Sequence, residues 1–160
     1  MFHSKRRSLT LCLLLVLSCA AAAVAAPLQQ QDASRDREPL YKGYKGVRLG
    51  MTADEVRKAL GDPASKGDTQ DFYSFSDDES AQIFYGRDKK VYAVSVFYVG
   101  KGERVPTPKT VLGAEIEAQP DGSMHRKVDY SKAGFWVAYS RTSGEAPLTT
   151  VTIQASHKEQ

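Results

Sequence analysis

The sequence predicts an α+β domain, an antiparallel β-sheet with short helices packed on one face. Three observations carry that prediction. The stretch GVRLGMTADEVRKALGDP, residues 46–63, holds a helix start and a helix stop barely two turns apart. Three runs rich in aromatic and β-branched residues follow it, separated by short polar turns. The same order then comes a second time, which predicts a degenerate tandem of αβββ units over residues 44–99 and 106–156.

The chain starts with an export pattern. Lys5, Arg6 and Arg7 precede an apolar run from Ser8 to Ser18, and an alanine-rich segment extends from Ala20 to Ala26. This is the layout of a bacterial secretory signal, with an apolar run too short for a stable transmembrane helix. Two processing sites are readable. Ala23-Val24-Ala25 suits cleavage before Ala26, giving a signal over 1–25. Val16-Leu17-Ser18-Cys19 resembles a lipobox, giving a signal over 1–18 and lipidation at Cys19. The protein is therefore expected to be exported across the inner membrane, and to be periplasmic, anchored in the outer membrane, or secreted.

Removing the signal removes the basicity. Of the 22 Lys plus Arg, three lie in the signal, which leaves 19 against 19 Asp plus Glu. No global charge favours nucleic acid or anionic lipid, so nucleic acid is not an expected partner, and a membrane is expected only through a lipid anchor. Both cysteines, Cys12 and Cys19, belong to the signal region. The remainder can form no disulfide, thiol nucleophile or thiolate metal site, and its core alone must hold it together.

Residues 26–43 are polar, charged and aperiodic, and read as a flexible leader before a domain starting near Tyr44. The first helix is expected from Thr52. Thr52 and Glu55 form a capping box, Met51 can staple to Val56, and Asp54 and Glu55 suit the positive end of the helix dipole. Val56, Ala59 and Leu60 would share one face, with Gly61 and Pro63 ending the helix. Strands are expected over 71–76, 81–86 and Val91–Val99, with DDES (77–80) as a polar turn. A second short helix starts at Thr107-Pro108 and ends before Pro120. Strands over 124–130, 135–141 and 148–155 complete the second unit. Landmarks align between the halves: Pro63 and Tyr73 with Pro120 and Tyr130, IFYGR (83–87) with VAYSR (137–141), and AVSVF (93–97) with TTVTI (149–153).

Val47, Leu49, Gly50, Met51, Thr52, Val56, Leu60, Gly61 and Pro63, with FYSF and the strand at Val91 after them, resemble the signature of the SmpA/OmlA (BamE-like) outer-membrane-assembly lipoproteins. The αβββ order resembles the wider β-lactamase-inhibitor-protein-like (BLIP-like) fold group, in which such units occur in tandem. The resemblance implies a binding module, either an envelope assembly accessory or an inhibitor of other proteins. The extra C-terminal half departs from the assembly-factor pattern.

Chemistry-bearing residues are sparse. Beyond the signal the histidines are His125, on the polar face of a strand, and His157, in the polar tail; neither has a second ligand or acid at motif spacing. Asp77, Asp78 and Glu79 lack the spacing and glycine of a calcium loop and read as a solvated turn. Asp54 and Glu55 are accounted for by capping, and no serine lies in a nucleophile elbow. The expectation is a non-enzyme with no catalytic residue, cofactor or metal, whose partner is another envelope or secreted protein. Tyr92 and Tyr98, read as sharing one face of their strand, and Trp136, on the face opposite Phe135, Val137 and Tyr139, are the candidate partner-binding residues. The alternative is a secreted inhibitor of an enzyme such as a hydrolase, inserting the hairpin loop from Asp77 to Ser80 into a cleft.

Overall fold

The structure, a computed structural model, describes residues 38–156. The export signal, Cys19, most of the leader and His157 lie outside these residues. Helices α1 (Ala53–Leu60) and α2 (Pro108–Leu112) accompany strands β1 (Ser65–Lys66), β2 (Gln70–Ser76), β3 (Glu79–Tyr85), β4 (Val91–Val99), β5 (Met124–Tyr130), β6 (Phe135–Arg141) and β7 (Leu148–Ala155). They form one antiparallel sheet in the order β1-β2-β3-β4-β7-β6-β5. The chain lays β2, β3 and β4 toward the centre, crosses through α2 to the far edge, and returns through β5, β6 and β7. β4 and β7 meet at the central seam, from Ala93 opposite Gln154 to Val99 opposite Leu148.

Local chemistry seats α1 at the mouth of this sheet. Lys45 and Gly46 both take positive φ, a tight turn in which Tyr44 and Val47 exchange backbone hydrogen bonds. The Gly50 N–H then donates to the Val91 carbonyl, and the Val91 N–H donates to the Met51 carbonyl, both at 2.8 Å. The helix start is thus tied to the first residue of β4. The Thr52 N–H donates to the Glu55 carboxylate at 2.8 Å, and the Glu55 N–H donates to Thr52 Oγ1 at 3.4 Å, completing the capping box. Gly61, at φ 85°, closes the helix by donating to the Arg57 carbonyl.

The buried stripe of α1 differs from expectation. Val56 is fully buried, with Ala53, Arg57 and Leu60 beside it, while Ala59 is exposed. Arg57 lies on this stripe because the sheet below offers it a buried carboxylate. Helix α2 is also shorter than the segment expected to run toward Pro120. Thr107 and Thr110 cap its start, and Gly113 takes the left-handed conformation (φ 75°) that stops it after five residues. Nor does the packed chain wait for Tyr44. Pro39 is buried, and Tyr41 packs against the core.

One sheet face forms the core. Tyr73, Ala81, Ile83, Tyr85, Val94, Val96, Val137, Tyr139, Val151 and Ile153 point into it and meet Val47, Val56, Val111 and Leu112 from the other layer. This face corrects one landmark. Matching Ala93 with Thr149 sets Val94 and Val96 against Thr150 and Thr152, which point to the opposite face. The buried residues of β7 are Thr149, Val151 and Ile153. A one-residue slip exchanges every side chain between faces, so that match does not hold. In the paired strands Val94 lies directly opposite Ile153. The matches of Tyr73 with Tyr130 and of Ile83 and Tyr85 with Val137 and Tyr139 do place buried residue on buried residue.

Candidate protein-binding face

The second sheet face has no helix over it among the described residues. Its side chains follow from the register. One cross-sheet row runs Phe72, Gln82, Ser95, Thr152, Ala138, Lys127; a second runs Gln70, Phe84, Ala93, Gln154, Trp136, Asp129. Phe97 sits between Ser80 and Thr150 in a third. Hydrogen bonds tie the polar members together: Gln82 Nε2 donates to Gln70 Oε1 at 2.9 Å, and the Ser95 and Thr152 hydroxyls are 3.0 Å apart. Phe72 is 38% exposed, and Phe84, Tyr92, Phe97 and Trp136 are half-buried. None of these five rings belongs to the core cluster.

Tyr92 reaches this face through a bulge. Phe84 pairs with Ala93 but Tyr85 pairs with Val91, so Tyr92 is the extra residue. Its ring lies 6.1 Å from that of Phe84, while Val91 and Tyr85 stay in the core. Tyr92 and Tyr98 therefore do not share a face, contrary to the expectation from simple alternation. Tyr98 is 9% exposed within the core cluster, where burial first and then the Glu79 charge push its hydroxyl pKa up to about 12. Trp136 lies on the open side, as expected once the Val137 and Tyr139 side is core, and Lys127 Nζ stands 4.8 Å from its ring centre. His125 is exposed at the edge of the same face.

Two polar clusters on the helix side are structural in their contacts. Asp71 is fully buried, and its carboxylate accepts from Arg57 Nε (2.9 Å), Arg57 Nη2 (3.0 Å), the Tyr85 hydroxyl (2.9 Å) and the Gly67 N–H (3.2 Å). Burial alone would raise this carboxyl; the hydrogen bonds from Arg57, Tyr85 and Gly67 outweigh it and hold the pKa below the ordinary value. Burial, then donation to Asp71, drives the Tyr85 hydroxyl upward. At the other end of the sheet, Tyr44 donates to Glu79 at 2.6 Å and Lys45 lies 3.4 Å from the same carboxylate.

Glu79 thus belongs to β3, and the hairpin turn expected over 77–80 narrows to Asp77 and Asp78. Asp78 is braced by Ser76 and by Arg104 at 2.6 Å. A surface cavity of about 310 Å³ opens beside Arg57, Lys66, Gly67, Tyr85 and Lys89. The Arg57 fork there is occupied by Asp71, and Lys89 Nζ donates to the Asp68 carbonyl. Among the described residues no three His, Cys, Asp or Glu gather as a metal site, and no helix is long and apolar enough to cross a membrane.

Among the described residues the geometry defines an antiparallel sheet covered on one face, with aromatic side chains on the other. No family model, curated protein or solved structure matches the chain.

Proposed function

We propose that this chain is a non-catalytic protein-binding module of the bacterial envelope that engages another envelope or secreted protein through its open sheet face. One observation carries this reading. Phe72, Phe84, Tyr92, Phe97 and Trp136 lie partly exposed on a face that no described element covers. Aromatic rings on a preformed sheet supply large contact area at small entropic cost, which makes them favoured anchors at interfaces. Binding by surface complementarity needs no bond chemistry.

The topology also supports a finer reading, a tandem of αβββ units joined along β4 and β7 in the manner of the BLIP-like group. Each half supplies a short capped helix and a three-strand meander. With the resemblance of residues 46–63 to the assembly lipoproteins, this favours an envelope assembly accessory. The test is retention of a co-purifying envelope protein by chains carrying Phe84→Ala or Trp136→Ala. A true anchor contributes ~2 kcal/mol, so affinity should fall about 30-fold. Unchanged affinity in both would reject the face.

A secreted enzyme inhibitor is the alternative. It is favoured by the turn at Asp77 and Asp78, since bracing by Arg104 and Ser76 pre-organises an exposed acidic tip for a cleft. Under that reading Asp77→Ala, and not Trp136→Ala, abolishes inhibition of a purified hydrolase.

A further inference from the structure

We propose that the β5 edge is a self-complementary pairing site, through which two copies of this chain join antiparallel into one continuous sheet. The inference stands independently of the open-face reading. Among the described residues β5 ends the sheet, with β6 on one side and no strand on the other. Among the described residues, no hydrogen bond from outside the sheet reaches the backbone of residues 124–129. That leaves the outward-pointing N–H and C=O groups of residues 124–129 without a backbone partner among the described residues, the template on which another strand adds. The opposite edge differs, because β1 already covers Asp71 and Phe72 of β2.

The occupant follows from the order of charges. Lys127 and Asp129 lie on the same face two residues apart, 3.4 Å from each other, and each side chain is about half exposed (46% and 49%). They flank Val128. Place a two-fold axis perpendicular to the sheet through Val128. Lys127 of each copy then faces the second copy's Asp129, Arg126 faces its Tyr130, and Val128 faces Val128. This register keeps both open faces on the same side. An axis through Lys127 or Arg126 instead sets like charge against like charge, which is destabilising for directly opposite residues. Charges that guard an edge repel an incoming strand. Here the alternation of sign about Val128 makes a second copy attractive in one register only.

An interface of one strand pair lies at the small, weak end of protein contacts, so a dimer constant on the order of 10 µM is expected. The full exported chain would be followed by sedimentation equilibrium over rising concentration. It should dimerise reversibly, more weakly as salt screens the exposed pairs. Lys127→Asp should weaken the dimer roughly tenfold or more, because two cross-strand attractions become repulsions. The double exchange Lys127→Asp with Asp129→Lys restores the pairing with reversed signs and should recover the wild-type constant. A chain that stays monomeric throughout, a dimer indifferent to Lys127→Asp, or a double exchange that restores nothing would each overturn the proposal. Both positions are exposed, and an unchanged circular dichroism spectrum separates lost pairing from lost folding.

Discussion

Asp71 is the sheet residue that takes the side-chain hydrogen bonds of α1. It receives both arms of the Arg57 fork, a tyrosine hydroxyl and a backbone N–H, with no exposure to solvent. Removing one member of a buried pair strands the other charge, at a typical cost of about 3–5 kcal/mol. Arg57→Met should therefore destabilise strongly in urea unfolding at pH 7, where it leaves Asp71 ionised and unpaired. The sign with pH is defined. The folded carboxyl lies below its unfolded value, so the pair stabilises above the unfolded pKa of about 3.9 and is lost as pH falls through the folded one. The gap between wild type and Arg57→Met should narrow from pH 7 toward pH 3; a constant gap would remove the charge from the explanation. The sequence did not disclose this pair. The partners are 14 residues apart, on different elements, and Arg57 taken alone reads as a basic residue suited to the last turn of a helix. Asp71 alternates as a polar residue in a strand until the fold turns it inward.

At the scale of the element, capping and close approach set the stability of the helix-bearing end. Thr52→Ala removes the acceptor for the Glu55 N–H and should cost about 1 kcal/mol, read as a shift in the denaturant midpoint at constant slope. Gly43 is constrained by space rather than by its φ. A Cβ built there would stand 2.2 Å from the Val47 carbonyl oxygen, in the short turn that precedes the helix. Gly43→Ala must push the backbone apart and should cost roughly 1–3 kcal/mol. These elements were legible because their signals are local. The capping box, Gly61 and the ranges of β4 to β7 can be read from neighbouring residues. Two things escaped the reading. Gly113 is a local stop like Gly61, and it ends α2 after five residues, well before Pro120. The bulge at Tyr92 broke the alternation of β4, so simple counting placed Tyr92 with Tyr98 when the strand carries them to opposite faces. That slip bore directly on the candidate site, because only one of the two tyrosines faces the open side.

At the scale of the whole molecule, the described residues form a sheet with one face buried beneath two short helices and the other covered by no described element. Its α+β class and antiparallel strands could be read from hydrophobic runs and turn residues. The strand order could not, because the crossover to β5 through α2 depends on which edge the second meander joins. That crossover puts β4 against β7, and so merges two three-strand patches into one face spanning Phe72 to Trp136. It also makes β5 the last strand of the sheet among the described residues. If the open face is the working surface, contacts should fall on its rings and spare the solvent side of α1, where Lys58 and Ala59 are exposed. Site-specific photo-crosslinking in the intact envelope tests this most directly, with a benzophenone side chain placed in turn at Phe72, Phe84, Trp136, Lys58 and Ala59. We expect one discrete adduct, common to the three sheet positions and absent from the two helix positions. Adducts from Lys58 or Ala59, with none from the sheet, would contradict it.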